Sequence, residues 1–187
     1  MNASAKAVVL LMIDELGGRV RSKTLVMKYV YFLKEKLGLE DLEFRPHYYG
    51  PYSEEVADTV SQLAQLGFVD EKCQLLGYDE RGFERCRYSY SLTEDGKVVV
   101  EATKKRLGEA ARGLTEVIDE LDKAANGMNY MDVSYAAKTH LLLKEAKKPM
   151  TVDEIREEAS RLSWRMAAHD VEKSVRFLKE IGLASTT

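Results

Sequence analysis

The sequence predicts a mainly α-helical protein with a small β-hairpin wing. An N-terminal winged helix, a helical linker and a C-terminal helix-turn-helix or winged-helix-like unit follow one another. Three observations carry this reading. Apolar residues recur at helical spacing along most of the chain. The period drops to two in "CRYSYSL", residues 86–92. A second set of helix signals begins after the break at Asn126 and Gly127. The boundaries fall at 1–96, 97–128 and 129–187.

In the first helix, Ser4 is the cap, Val9, Met12, Ile13 and Leu16 form a stripe, and Gly17 and Gly18 end it. Ser22 caps the second helix. Leu25, Val26, Tyr29, Leu33 and Leu37 line it, and Gly38 stops it. Pro46 and Pro51 forbid a long helix next, so 44–49 reads as a short edge strand. Gly50 and Pro51 turn the chain. Ser53 then caps a third helix, with Glu54 and Glu55 in the first turn, where the helix dipole favours negative charge.

The hairpin follows, with "DERG" (79–82) at its tip. Three helices and then a hairpin is the order of a winged helix. The connection between the second and third helices, 38–52, is much longer than the ~3–4 residues of a DNA-reading turn. Thr93 caps the next helix. Leu107, Leu114 and Leu121 then fall seven apart, although Gly108 and Gly113 interrupt them. This repeat has two readings: a helix packed on its own chain, or a homodimer seam through residues 100–125. A helix over about 131–147 follows. Thr151 caps a short one, and Val171, Val175, Leu178 and Ile181 line the last.

Composition limits the function classes. The chain has 187 residues, enough to bury a core without metals or disulfides. A net charge of −3 argues against nonspecific coating of nucleic acid but leaves room for a local basic patch. No apolar run approaches the ~20 residues of a membrane span. The apolar N-terminal run closes at Asp14 and Glu15 without a small-residue cleavage site, so it reads as a helix and not a signal peptide. The expected compartment is the cytoplasm, with no membrane partner. Cys73 and Cys86 make neither a disulfide framework nor a zinc spacing. If the hairpin loop has even length they share a face, as two small core residues or, alternatively, as a redox pair.

The corner Tyr49-Gly50-Pro51-Tyr52-Ser53, the "LxxLGF" helix end at 63–68 and "YxLTxxG" at 90–96 resemble the YwgA-like family of uncharacterised prokaryotic proteins. They are more distantly similar to the Panacea domain of some antitoxins and regulators. The resemblance covers the N-terminal half. It implies a winged-helix fold and says little about activity.

No Gly-rich phosphate loop, His-Glu-x-x-His or Gly-x-Ser-x-Gly occurs, and His47, His140 and His169 lie far apart. The expectation is a protein that is not an enzyme, without metal or cofactor. Arg81, Arg85 and Arg87 on the wing suit phosphate contact, because a guanidinium donates two bonds in one plane. Arg19, Arg21 and Lys23 flank the start of the second helix. His169, Lys173 and Arg176 give the last helix a basic face. Against these, the third helix carries Glu54, Glu55 and Asp58, which repel phosphate. Tyr48, Tyr49 and Tyr52 either wedge the corner into the core or anchor a protein partner. The leading expectation is a homodimeric regulator that binds double-stranded DNA. The alternative is an antitoxin-like protein-interaction module that does not read DNA.

Overall fold

The computed structural model describes residues 3–78, 82 and 84–184. Its first helix, α1 (Ala5–Glu15), is enclosed by α2 (Lys23–Leu37), α3 (Glu54–Gln65), α4 (Glu94–Leu107) and α5 (Glu109–Ala124). Every residue from 7 to 13 is buried. The single stripe expected of this helix is therefore corrected. Its central run is apolar on all sides, which suits a helix walled in by others. The expected caps Ser4, Ser22, Ser53 and Thr93 each accept a backbone N–H of the helix they start. Gly38 closes α2 in the left-handed region, at φ 64°.

Three antiparallel strands form one sheet in the order β1 (Arg19–Val20), β3 (Glu84–Leu92), β2 (Val69–Tyr78). β1 pairs Arg19 with Ser91 and Val20 with Tyr90. Two residues carry no period, so nothing in the local pattern marks β1. Among the described residues, the hairpin meets the core at its inner end, through buried Val69 and Tyr90 with Tyr88 and Leu92 packed beside them. Beyond them β2 runs out into solvent. Cys73 and Cys86 lie on this outer part, joined as a disulfide with Cα atoms 5.3 Å apart. The expected pair of core residues is thus corrected: alternation gives the face, but the hairpin outreaches the helices that would cover it.

The strand expected over 44–49 is also absent. Residues 45–52 form a tight loop closed by one bridge. Arg45 and Tyr52 exchange two backbone hydrogen bonds of 2.9 Å. Inside them the His47 N–H donates to Gly50 O (3.1 Å) and the Gly50 N–H to His47 O (2.8 Å). Pro46 and Pro51 lack an N–H, so the pairing cannot extend into a sheet.

At Gly108 (φ 55°, ψ −119°) the linker breaks into α4 and α5. Ala111, Leu114, Ile118 and Leu121 of α5 are buried, against α1 and α2. The heptad stripe is therefore engaged within its own chain, and these positions are not left open for a second copy. Next come α6 (Tyr130–Ala146), α7 (Val152–Arg161) and α8 (Ala168–Glu180). Thr151 caps α7 as expected. α6 packs on α2, α7 and α8, and Phe177 of α8 meets Phe32 of α2 edge-on at 5.4 Å. One large apolar cluster runs from α1 to α6 and the end of α8, and a smaller one centres on Ile155, Trp164 and Val171. No helix among the described residues is long and apolar enough to cross a membrane.

Candidate functional site

The loop 45–52 is held by its carbonyls. Pro51 O accepts from Lys28 Nζ at 2.6 Å, Tyr49 O from Ser134 Oγ at 2.8 Å and His47 O from Trp164 Nε1 at 2.8 Å. The donors come from α2, from α6 and from the connection between α7 and α8. Gly50 is needed here. Its φ is +90°, and a Cβ would stand 2.9 Å from Lys138 Cγ. Anchored in this way, the loop lifts its tip outward. Tyr48 and Tyr49 are 66% and 51% exposed, edge to face at 4.9 Å. The wedge expected of the tyrosines is corrected for these two. The turn places them at its tip, and only Tyr52 leans inward, beside His47.

Two lysines lie buried beneath the loop. Lys28 is 1% exposed and Lys138 5%. Among the described residues no carboxylate bonds either ammonium. Burial, and then the charge of Lys138, push Lys28 down to about 7. Burial pushes Lys138 down to about 8. The Lys138 ammonium stands 5.6 Å from the ring centre of Tyr135 and 5.3 Å from that of Trp164. Buried charges without a counter-charge collect at functional sites. Neither lysine was singled out from the sequence. The signal was a single cation inside an apolar helical run, in "VMKYVYFL" and "YAAKTHLLL". Nearby, Tyr31 Oη and His140 Nδ1 share a buried 2.7 Å hydrogen bond, and burial pushes His140 down to about 4.

A cleft of 570 Å³ opens between this loop, the start of α2 and the hairpin. Arg21, Lys23, Lys28 and Arg87 supply its cations, and Tyr49 and Tyr52 are among its rings. No carboxylate is among its described lining residues. The cleft thus joins two sets of residues that looked separate in sequence: basic Arg21, Lys23 and Arg87, and aromatic Tyr49 and Tyr52. At its edge Ser22 Oγ accepts the N–H groups of Thr24 (3.1 Å) and Leu25 (3.3 Å). Arg19 on β1 and Arg85 on β3 are exposed but do not line it. Arg81 lies outside the described residues.

The C-terminal candidates stand apart. Lys173 Nζ is 2.7 Å from Asp132 Oδ2, and His169 Nε2 is 3.2 Å from Asp170 Oδ1. Arg176 is exposed at a shallow cavity beside Met150 and Val152. The expected basic face of α8 is therefore partly engaged by carboxylates of its own chain.

No family model matches the chain. It is similar to the uncharacterized protein YwgA of Bacillus subtilis (strain 168), at 31% identity over 85 residues. The match covers 46% of this chain and spans about half, 48%, of that protein.

Proposed function

We propose that this chain is a DNA-binding regulator of winged-helix type that grips duplex phosphates between the hairpin and the start of α2. The observation that carries this is the cleft whose exposed cations are Arg21, Lys23 and Arg87, with no carboxylate among its described lining residues. Planar guanidinium groups on two elements suit two neighbouring phosphates. α3 is not the reading element in this proposal. Glu54, Glu55 and Asp58 are exposed on it, and carboxylates repel a phosphate backbone.

The test is fluorescence anisotropy of a mixed duplex pool across a salt series. Binding should weaken linearly in log salt. Arg21→Glu with Arg87→Glu should lower affinity and flatten the slope by about 2, at roughly 0.9 per phosphate lost. Unchanged binding in that variant removes the cleft from the account.

A second reading, a protein-interaction module, is favoured by a different observation: the tip rings Tyr48 and Tyr49 are exposed while α3 shows an acidic face. Exposed tyrosines are frequent interface anchors. No duplex binding at low salt and micromolar protein, with a captured partner lost in Tyr48→Ala/Tyr49→Ala, selects that reading.

A further inference from the structure

On the other side of the loop lies a larger cavity of 1230 Å³, bounded by the loop tip, α6 and the connection between α7 and α8. Tyr48, Tyr49, Tyr135 and Trp164 give it aromatic walls. Its charged lining is Lys138, Arg156, Arg165 and Asp170. Most of that charge already has a partner. Asp170 Oδ2 accepts the Ala167 N–H at 2.8 Å, and its other oxygen faces His169 at 3.2 Å. Arg156 donates to Asp153 at 3.0 Å and to Met166 O at 3.4 Å. Lys138 differs. It is 95% buried by its 5% exposure, it lines the cavity, and its ammonium has no hydrogen-bond acceptor among the described residues. Its near neighbours are the rings of Tyr135 and Trp164, which attract a cation but accept no directed bond. Among the described residues the side-chain atoms fully enclosed without a partner are Tyr90 Oη and Thr139 Oγ1, so the Lys138 stem is buried while its ammonium opens onto the cavity, with three donors free for a ligand. Burial lowers its pKa only to about 8, so it stays largely charged at neutral pH.

We infer that this cavity binds a small organic oxyanion carried on a flat ring, the oxyanion seated on Lys138 and the ring stacked against the exposed rings of Tyr48 and Tyr49. The unmatched ammonium at the cavity wall selects the anion. The exposed, edge-to-face tyrosines select the ring. A carboxylate and a phosphate share the required chemistry. The site shares only Tyr49 with the cleft of the proposed function, and the inference does not rest on duplex binding.

Trp164 is the sole tryptophan of the chain, so its emission reports on this cavity alone. The probes are benzoate and AMP, with benzamide and adenosine as uncharged counterparts and inorganic phosphate as a ring-free anion. At least one charged ring should change the emission saturably, at about millimolar concentration or below. The responding arm tells carboxylate from phosphate. Its uncharged counterpart should bind at least about tenfold more weakly. Lys138→Met, checked for folding by circular dichroism, should weaken the charged probe by at least about tenfold. Tyr48→Ala, at an exposed position that leaves the fold intact, should weaken the same probe. The inference is overturned if neither charged ring gives a saturable change, if the uncharged counterpart binds equally well, or if inorganic phosphate binds as tightly as AMP. Full binding in Lys138→Met, or in Tyr48→Ala, overturns it as well.

Discussion

At Gly50 one missing carbon decides a local conformation. Gly50→Ala meets both a positive φ and the Lys138 side chain. It should destabilise by about 2–4 kcal/mol in urea unfolding. Gly127→Ala has a similar φ of +78° with nothing within 4 Å, and should lose only about 1 kcal/mol. Equal losses in the two would show that Lys138 yields freely. The buried lysines set a pH dependence. The folded pKa of Lys28, about 7, lies below its ordinary 10.5. Between those values the unfolded chain holds a proton that the folded one has released, so stability rises with pH. Unfolding free energy should increase by about 1–2 kcal/mol from about pH 7 to about pH 9, and Lys28→Met should flatten that rise. His140 acts at the acid end. Its folded pKa of about 4 lies below 6.5, so stability falls as pH drops through that window.

Among the elements, α5 gives the clearest test. Leu114 is fully buried between helices of its own chain. Leu114→Ala should cost about 3–5 kcal/mol in denaturant unfolding, with the sedimentation mass unaltered. A mass that fell on substitution would place Leu114 in a seam between copies. The hairpin makes the opposite case. The Cys73–Cys86 bond lies on its exposed part, away from both apolar clusters. Reduction should therefore speed amide exchange along the outer ends of β2 and β3 and leave α1, α2 and α6 protected. Elements of this kind were legible where a residue type forces its conformation. Ser22, Ser53, Thr93 and Thr151 cap because a hydroxyl answers free N–H groups, and Gly38 ends α2 because it alone turns left-handed at no steric cost. The bridge at 45–52 and the strand β1 were not legible. β1 is made by a partner distant in sequence, and the bridge at 45–52 folds a short segment back on itself, so in neither case does an alternating run mark the pairing.

Across the whole molecule the same limit explains the sites. Arg21, Lys23 and Arg87 could be named as basic residues, yet their meeting with Tyr49 and Tyr52 around one cleft depends on how α2, the loop and the hairpin converge. Lys28 and Lys138 carry no local sign of their place, because a lysine in an apolar run usually snorkels to bulk water, whereas Lys28 ends on Pro51 O and Lys138 ends at the cavity. The anchoring of the loop has a consequence in time. Lys28 precedes its carbonyl partner by 23 residues, but Ser134 follows by 85 and Trp164 by 117. A ribosome adding about 5–20 residues per second releases Trp164 on the order of 10 seconds after the loop. Two of the three anchors are missing until Ser134 is made and one until Trp164 is, and through that time the tip tyrosines belong to an unfinished surface. The nascent chain therefore completes the setting of the loop tip late, and a translation product that stops before α7 is born without its Trp164 anchor.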